Sequence, residues 1–392
     1  MSGPQEAQAA GSKHILHVIA TLDPAAGGPS DSVRVLLNFG PPGYTGEVVC
    51  LDDPNASFLL GYPCPVNALG PQTSTFGYSK KLFDWLVANR DRFDGVMVNG
   101  LWQYCGLATW RAVRKHKPYV VFTHGMLDPY FKRAFPVKHA KKWVYWLFAE
   151  YWVLRDAFRV LFTTEEERRL AQQSFWLHRW RGFVVPFGAN RPPGEKAKLL
   201  EAFYDQCPAV RDRRFLLFLG RIHRKKGCDL LVDAFCRHAA RDLELHLVMA
   251  GPDQQAWSAG LKELVERAGL SDRVHWPGML HGDVKWGALY ASEAFVLPSH
   301  QENFGIAVAE ALGCGKAVLL ADKVNIASEI AQDGAGLMEA DTQEGTDNLL
   351  QRWADTSPAA RVAMEAQALD TFNRRYDMQV NAARILRVFE QV

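Results

Sequence analysis

Short apolar runs, each followed by a stretch of helical character, recur along almost the whole chain and constrain the fold more than any other feature. In the first half these runs lie at 15–20, 47–51, 95–98, 119–123, 159–163 and 182–186. In the second half they lie at 215–220, 244–250, 294–298 and 317–321. Near-continuous apolar strands that alternate with helices are typical of a parallel sheet covered on both faces. Two such series predict two doubly wound α/β domains.

The domain boundary is predicted where prolines and glycines interrupt this alternation. The stretch P-F-G-A-N-R-P-P-G occupies positions 186–194 and is typical of a linker. We therefore expect an N-terminal domain over 1–186 and a C-terminal domain over 187–375. A last helical segment, 376–392, follows the end of the second series and is a candidate to cross back onto the first domain.

Charge and cysteine content exclude several classes of protein. The chain has 45 basic and 43 acidic residues, a net charge of +2, which requires no nucleic-acid partner. Its seven cysteines include no C-x-x-C pair, so neither a disulfide scaffold nor a zinc site is expected. Positions 1–13 are polar and lack a signal core, and the apolar runs are too short to span a bilayer. We predict a cytoplasmic protein, either free or attached to the inner face of the cell membrane.

A basic turn follows the first predicted strand of the second domain. Ligands of open α/β sheets lie beyond the carboxyl ends of the strands, and R-I-H-R-K-K-G occupies this position. Arg221 can donate two parallel hydrogen bonds to a phosphate, and Lys226 supplies a compact charge. Gly227 is expected to begin a helix, whose N-terminus favours an anion. A solvated basic turn is the alternative interpretation.

Two glutamates flank a glycine later in the same domain. Glu302 is expected in the loop after a strand, and Glu310 just over one turn inside a helix that begins near Ile306. Carboxylates only accept hydrogen bonds, so the pair suits the hydroxyls of a ribose or another sugar. The amides around Gly305 would cap a diphosphate. Two surface glutamates on one helix are the alternative.

These two motifs, L-G-R-I-H-R-K-K-G and E-N-F-G-I-A-V-A-E, resemble those of the retaining GT-B glycosyltransferases of the family-4 type, which carry a G-R…K-G loop and an E-x7-E motif. The similarity continues through 247–253, 274–280 and 294–299. It implies the GT-B fold, in which two Rossmann-like doubly wound domains face each other across a cleft. The first domain would bind the acceptor and the second the nucleotide-sugar donor. Lys316 departs from the pattern, since the family usually has proline there.

The resemblance also assigns roles in the donor site. Arg221 and Lys226 would bind the diphosphate, Glu310 the ribose hydroxyls, and Glu302 the transferred sugar. The loop 278–280 would meet the base through its backbone. The donor contacts implied in this way are Gly28, Arg221, Lys226, Gly278, Met279, Leu280, Glu302, Asn303, Phe304, Gly305, Ile306 and Glu310.

Acceptor contacts are expected at the strand ends of the first domain. His124 follows the strand 119–123 and precedes a glycine, and it can donate or accept a hydrogen bond near neutral pH. The family has a comparable histidine, so we predict a functional role for His124. Trp102 and Asp128 are further acceptor candidates. The predicted catalytic residues are thus His124, Glu302, Arg221 and Lys226.

The segment 131–155 combines basic residues with an aromatic run. Five basic residues precede three tryptophans, a composition that suits the headgroup level of an anionic membrane. These basic residues are Lys132, Arg133, Lys138, Lys141 and Lys142. A buried helix with a solvated entry is the alternative. If the segment binds membrane, the acceptor is expected to be a lipid-linked glycan; otherwise it is a soluble sugar.

The reaction inferred from the resemblance is transfer of a hexose from a UDP- or GDP-sugar to an acceptor hydroxyl, with retention of anomeric configuration. The run H-G-M-L-D-P at 124–129 and the segment 131–155 favour a role in bacterial surface polysaccharide synthesis. No D-x-D pair is present, so neither a metal nor another cofactor is expected. A sugar-nucleotide epimerase, a phosphorylase and a nucleotide-binding protein without catalysis are the rivals. A dinucleotide-dependent dehydrogenase is disfavoured, because no G-x-G-x-x-G follows the first strand.

Overall fold

The computed structural model describes residues 12–134, 136–253 and 256–391. Positions 1–11, which form most of the polar N-terminal stretch, lie outside the described residues. Contacts divide the chain into two compact units, one formed by Met1–Pro186 with Gln379–Val392 and the other by Phe187–Met378.

The first unit contains a seven-stranded parallel sheet in the order β3-β2-β1-β4-β5-β6-β7. Its strands are β1 (Lys13–Val18), β2 (Tyr44–Cys50), β3 (Val66–Ala68), β4 (Gly95–Asn99), β5 (Tyr119–Phe122), β6 (Arg159–Phe162) and β7 (Gly182–Val184). Its helices before the boundary are α1 (Gly28–Asn38), α2 (Lys80–Asn89), α3 (Tyr104–Val113), α4 (Tyr130–Ala134), α5 (Pro136–Tyr145), α6 (Tyr151–Asp156) and α7 (Glu165–Ala171). A π-helical stretch, Trp146–Glu150, joins α5 to α6.

The second unit contains a six-stranded parallel sheet in the order β10-β9-β8-β11-β12-β13. Its strands are β8 (Arg214–Leu219), β9 (Leu245–Ala250), β10 (Val274–Gly278), β11 (Ala294–Leu297), β12 (Val318–Ala321) and β13 (Gly336–Glu339). The helices that follow the boundary are α8 (Lys196–Gln206), α9 (Cys228–His238), α10 (Ser258–Arg267), α11 (Gly282–Ala291), α12 (Ile306–Gly313), α13 (Ala327–Gln332), α14 (Gln343–Asp355), α15 (Pro358–Thr371) and α16 (Met378–Leu386).

Each sheet has a switch point, where neighbouring strands send their connections in opposite directions. In the first sheet it lies between β1 and β4, and in the second between β8 and β11. A crevice opens beyond the carboxyl ends of the strands at such a point, and ligands of doubly wound folds bind there. The loops that follow these four strands are therefore the places to look for a site.

Three strands were missed by the search for apolar runs, and all three are edge strands. The short β3 is half-buried throughout, and β10 and β13 are each buried at one residue. An edge strand is covered less completely, so its sequence need not be continuously apolar. Pro277 in β10 is compatible with this position, because an edge strand does not need every backbone N–H for pairing.

The stretch predicted as a linker is ordered and pairs with the end of the second unit. Ala189 forms a parallel bridge with Asp377, and Arg191 Nε donates to the Asp377 carboxylate at 2.9 Å. The chain beyond Met378 belongs to the first unit. There the Tyr44 hydroxyl donates to Glu390 at 2.9 Å. The last helix is also not continuous, since a 3₁₀ turn over 387–391 follows α16.

Within the described residues, no helix combines the length and apolar character that crossing a membrane requires.

Candidate functional site

The basic turn after β8 is shaped by a glycine that no other residue can replace without strain. A short 3₁₀ turn, Arg224–Lys226, leads into α9 through Gly227, whose φ is +65°. A Cβ at Gly227 would overlap the carbonyl oxygen of Pro298 at the end of β11. The loop after β11 is fastened to the same turn, because the His300 amide donates to the Lys225 carbonyl at 2.9 Å. The two loops of the switch point are thus held together by backbone.

An ion pair between Lys226 and Glu302 occupies this switch point. The two side chains are only 16% and 17% exposed, so the pair is largely removed from water. Burial alone would raise the pKa of Glu302, but the charges of Lys226, Lys225 and Arg221 outweigh it and the pKa is lowered. Glu302 is therefore an anion at neutral pH. The family resemblance assigns these two residues to different parts of the donor, and the structure brings them into direct contact.

The backbone around Glu302 fixes the carboxylate beside the start of α12. The Glu302 amide donates to Lys323 at 3.0 Å, and the Asn325 amide donates to the Glu302 carbonyl at 3.1 Å. Gly305 has φ of +76°, and a Cβ there would lie 3.2 Å from Cγ of Glu302. α12 begins at the next residue, Ile306, so its first amides lie close to the ion pair. A helix N-terminus in this place favours an anionic ligand.

A second lysine–glutamate pair joins α11 to α12. Glu310 of α12 is buried, and its Oε1 accepts a hydrogen bond from Lys285 of α11 at 2.5 Å. Sequence reasoning missed Lys285, because D-V-K-W resembles an ordinary exposed helix start. A lysine 25 residues from its partner leaves no local pattern.

The loop 278–280, which is predicted to meet the base through its backbone, lies at the end of the edge strand β10. Gly278 has φ of +77°, Met279 is half-exposed and Leu280 is buried. The Gly251 amide donates to the Gly278 carbonyl at 2.8 Å, which ties the ends of β9 and β10 together. A Cβ at Gly251 would in turn overlap the carbonyl of Gly220, so the end of β8 joins the same arrangement.

The residues that follow Glu302 present their backbone rather than their side chains. Phe304 is buried, with its ring edge-on to Phe187 at 5.3 Å and to Tyr376 at 5.7 Å. Its ring anchors the loop, which leaves the amide as the group that can meet a ligand. Asn303 receives a hydrogen bond from Asn325 at 3.4 Å.

The family departure at Lys316 has a local explanation. The Lys316 amide donates to the Ala311 carbonyl at 2.9 Å and so helps to close the end of α12. Proline has no amide hydrogen and could not form this bond. The ammonium group lies 3.7 Å from Glu365. The substitution therefore alters the turn alone.

In the first unit, the glycine-rich loop after β1 is held by an aspartate that follows β2. The Asp52 carboxylate accepts hydrogen bonds from the Thr21 hydroxyl at 2.6 Å and the Leu22 amide at 2.8 Å. The left-handed backbone falls on Gly27, with φ of +93°, whereas Gly28 is the first residue of α1. A Cβ would meet nothing within 4 Å at either glycine, so both face open space.

His124 lies beyond the end of β5 in a left-handed conformation, with φ of +47°. Its ring stacks on Phe122 at 4.3 Å, and Nε2 lies 3.5 Å from Oδ1 of Asn99 at the end of β4. Burial lowers the pKa of His124 to about 3. The imidazole is therefore neutral near pH 7, and it can exchange hydrogen bonds without carrying charge.

The turn that carries His124 is fixed by Glu167, a buried residue that sequence reasoning missed. One carboxylate oxygen accepts hydrogen bonds from the Thr123 hydroxyl at 2.7 Å and the Gly125 amide at 2.8 Å. The other accepts from the amide and the hydroxyl of Thr163, both at 2.7 Å. The run T-x-x-E at Thr164 matches a helix capping box, and this signal could have located α7 but not the bonds across the sheet.

The other two acceptor candidates lie near the same strand ends. Trp102 follows β4, and its indole N–H donates to the Met126 carbonyl at 3.2 Å, which links the loops after β4 and β5. Asp128 is buried and accepts a hydrogen bond from the Tyr130 amide at 2.7 Å at the start of α4. Among the described residues, no group of three or more histidine, cysteine, aspartate or glutamate side chains is arranged to hold a metal. Metal independence stays a prediction.

Two parallel, doubly wound sheets with polar clusters at their switch points define the α/β, two-domain class with the GT-B fold. Two family models match the chain, "Glycosyl transferase 4-like domain" over residues 13–188 and "Glycosyl transferases group 1" over residues 203–368. The matches together cover most of the sequence. The chain belongs to the GT-B glycosyltransferases of the family-4 type.

Individual relatives extend this picture. D-inositol 3-phosphate glycosyltransferase of Kineococcus radiotolerans is 30% identical over 240 residues, 59% of this chain and 54% of the relative. The lipopolysaccharide core biosynthesis mannosyltransferase of Rhizobium meliloti is 25% identical over 264 residues, 61% of this chain and 74% of the relative. The chain spans about half the length of the first curated relatives it matches.

Among solved structures, Anabaena HepE in complex with UDP and glucose has a TM-score of 0.75 with this chain. It is 18% identical, and the likeness covers 97% of this chain and all of the other. Similarity at this level of identity establishes the fold.

Proposed function

We propose that the protein is a glycosyltransferase that moves a hexose from a nucleoside diphosphate sugar to an acceptor hydroxyl. The observation that carries this proposal is the Lys226–Glu302 ion pair at the β8/β11 switch point, beside the N-terminus of α12. A phosphate-binding cation and a hydroxyl-binding carboxylate, held in contact, match the two chemically different halves of such a donor.

The ion pairs suggest how the donor would bind. A diphosphate would compete with Glu302 for Lys226. It would also accept hydrogen bonds from Arg221 and from the first amides of α12. Glu302, released from Lys226, could accept hydrogen bonds from the sugar hydroxyls. Glu310 would accept from the ribose hydroxyls in the same way, next to Lys285. Binding thus replaces one set of charge-assisted hydrogen bonds with another, and no buried charge is left alone.

Stabilisation of the departing diphosphate would supply the catalytic effect. Lys226, Arg221 and the α12 amides place positive charge where negative charge develops as the glycosidic bond breaks. In this donor-bound arrangement both carboxylates of the cluster accept hydrogen bonds from hydroxyl groups, which disfavours a covalent glycosyl–enzyme intermediate. We therefore propose retention through attack on the same face as the leaving group, without a metal.

The names of the relatives support the proposed donor class and the proposed pathway. HepE holds UDP and glucose, and the Rhizobium relative is named as a mannosyltransferase of lipopolysaccharide core synthesis. These names support a UDP- or GDP-hexose donor and a role in bacterial surface polysaccharide synthesis on the cytoplasmic side of the membrane. The acceptor would be a glycan, which binds at the strand ends around His124 and Trp102.

The exposed face of α5 supports an association with anionic membrane. Val137 and Val144 of α5 are 72% and 61% exposed, and Phe148, in the π-helical stretch that continues α5, is 79% exposed. Their spacing places them on one side of the helix with the exposed Lys141. Trp176, 76% exposed, extends this face by stacking on Trp143 at 5.6 Å. Apolar side chains beside a lysine suit the headgroup level of a bilayer.

The transferase proposal is tested by a product assay. The protein is incubated in EDTA with UDP-glucose, UDP-galactose or GDP-mannose and a panel of octyl glycosides, and products are identified by mass spectrometry. A glycosylated octyl glycoside, with the donor's anomeric configuration by NMR, is the expected result. Conversion of the donor into its epimer, or a reaction that requires inorganic phosphate, would instead favour the epimerase or the phosphorylase.

Membrane association is tested by sedimentation with vesicles of phosphatidylcholine alone or mixed with phosphatidylglycerol. We expect binding to the anionic vesicles, weakened about tenfold in Phe148→Ser because an apolar side chain is lost from the bilayer. Val362→Ser, at an exposed position of α15, is the matched control and should bind like the wild type. Equal binding by the two variants would contradict the role of α5.

A further inference from the structure

The first unit contains a buried carboxylate that the proposed reaction does not use. Glu150 ends the π-helical stretch between α5 and α6 and is 1% exposed. Its Oε2 accepts a hydrogen bond from the Trp102 amide at 3.1 Å. Its Oε1 has no hydrogen-bond partner among the described residues. A buried carboxylate with one free oxygen is costly, and π-helical stretches are frequent at functional sites.

The residue that Glu150 holds is itself strained. Trp102 has φ of +72°, a conformation that a bulky side chain rarely adopts. Two hydrogen bonds maintain it, one from its amide to Glu150 and one from its indole to the Met126 carbonyl. The Lys142 ammonium lies 4.1 Å from the centre of the Trp102 ring. Strain of this kind persists only where the surroundings enforce it, and it is concentrated at functional sites.

We propose that Glu150 is a positioning residue for the acceptor: its hydrogen bond to the Trp102 amide holds the strained turn after β4 and thereby sets where the half-buried Trp102 ring meets the acceptor. The inference rests on the proposed function, in which Trp102 contacts a glycan. Aromatic rings offer an apolar face to sugars, so a small rotation of this turn would change acceptor affinity without touching the donor residues of the second unit.

The protonation of Glu150 gives this arrangement a measurable signature. Burial raises the pKa of Glu150 to about 8, and burial lowers the pKa of Lys142 to about 8. Burial lowers the pKa of His139 of α5, which interacts with Lys142, below the ordinary value of 6.5. Further titratable neighbours are Tyr145 of α5, Tyr119 of β5 and Cys105 of α3. Burial raises the pKa of each of these three groups, that of Cys105 to about 12, which is above the range of interest. Between pH 7 and pH 9, Glu150 and Lys142 are therefore the groups that change charge near Trp102.

The test uses the full chain labelled with 5-fluorotryptophan, with the Trp102 fluorine resonance assigned by its loss in Trp102→Phe. In the wild type this resonance should move with a midpoint near pH 8. Glu150→Gln, which keeps a hydrogen-bond acceptor but cannot ionise, should hold the resonance at its low-pH position throughout. A midpoint that survives in Glu150→Gln and disappears in Lys142→Met would assign the change to Lys142 and overturn the proposal.

Kinetics separate positioning from simple structural support. With the best octyl glycoside from the product assay, Glu150→Ala should raise the acceptor KM about tenfold at pH 7, the loss expected for one buried hydrogen bond. The donor KM and the affinity for UDP should stay within about twofold, and Glu150→Gln should restore the acceptor KM at pH 7. Equal effects on both substrates would overturn the proposal. If no octyl glycoside reacts, the proposed function fails, while the Trp102 resonance still reports on Glu150.

Discussion

The ionisable groups near the two switch points differ in charge state: those of the second unit form ion pairs, and burial favours the neutral form of those of the first unit. In the second unit, Lys226–Glu302 and Lys285–Glu310 are full ion pairs, and the partner's charge lowers the pKa of Glu302 despite its burial. In the first unit, burial dominates: it holds His124 neutral and raises the pKa of Glu150 to about 8. A diphosphate needs countercharge, whereas an uncharged glycan acceptor can be bound without it. The contrast matches a donor site in one unit and an acceptor site in the other.

Removing one member of the donor pair should have the largest effect. Lys226→Ala or Glu302→Ala should reduce kcat/KM about a thousandfold, because stabilisation of the leaving group is lost and a buried charge is left unpaired. In Lys226→Ala the pKa of Glu302 should also rise, since burial is no longer opposed by the lysine. The measurement is a coupled assay of nucleotide release.

Arg224→Ala, in the same basic turn but exposed, is the matched control and should keep kcat/KM within about threefold. Wild-type rates in Lys226→Ala or Glu302→Ala, with folding intact by circular dichroism, would show that the pair is structural.

In the first unit, the largest effect is expected from loss of the hydrogen bonds that hold the turn around His124, rather than from loss of an ion pair. Glu167→Ala leaves four donors around the β5 and β6 ends without their acceptor, so the free energy of unfolding of the first unit should fall by about 3 kcal/mol. Urea denaturation measures this change. Glu165→Ala removes a surface pair with Arg168 and should cost under about 0.5 kcal/mol. Similar losses in the two variants would mean that the Glu167 bonds contribute little.

Affinity for UDP sharpens the comparison in the same variant. Because Glu167 belongs to the first unit, Glu167→Ala should bind UDP as the wild type does at temperatures where it is folded. A large loss of UDP affinity in the folded variant would contradict the assignment of donor binding to the second unit.

The smallest expected effect concerns the protonation of His124. With a pKa of about 3, its imidazole should stay neutral from pH 5 to pH 8, and its NMR resonances should not titrate in that range. In the unfolded chain histidine binds a proton below its ordinary pKa of about 6.5, so burial of the neutral ring lowers stability as the pH falls from there. A midpoint near 6.5 for His124 would show that the site admits charge.

How much the sequence could predict differs between the same two regions. The candidate donor residues of the second unit could be predicted because they lie in two contiguous motifs, each directly after a buried strand. The alternation of apolar runs located those strands. Lys285 escaped because it meets Glu310 only through the packing of α11 on α12. The assigned roles of the donor residues remain predictions.

In the first unit, no sequence pattern identifies the carboxylates that hold the loops around His124 and Trp102. Glu150 lies in an aromatic run that indicates a buried or membrane-facing helix, and its partner Trp102 is 48 residues away. Glu167 and Asp52 act on loops that follow other strands. Sequence reasoning located the histidine and the tryptophan, but the groups that hold them become apparent only once the strands are side by side.

The most direct test of the central claim, that the second unit binds a nucleoside diphosphate through paired charges, is calorimetric titration of UDP, GDP, ADP and NAD in the presence of EDTA. We predict tight binding of one nucleoside diphosphate by the wild type, weakened about thirtyfold in Glu310→Ala through loss of the hydrogen bonds to ribose. Binding that requires an added metal, or binding of NAD alone, would contradict the account.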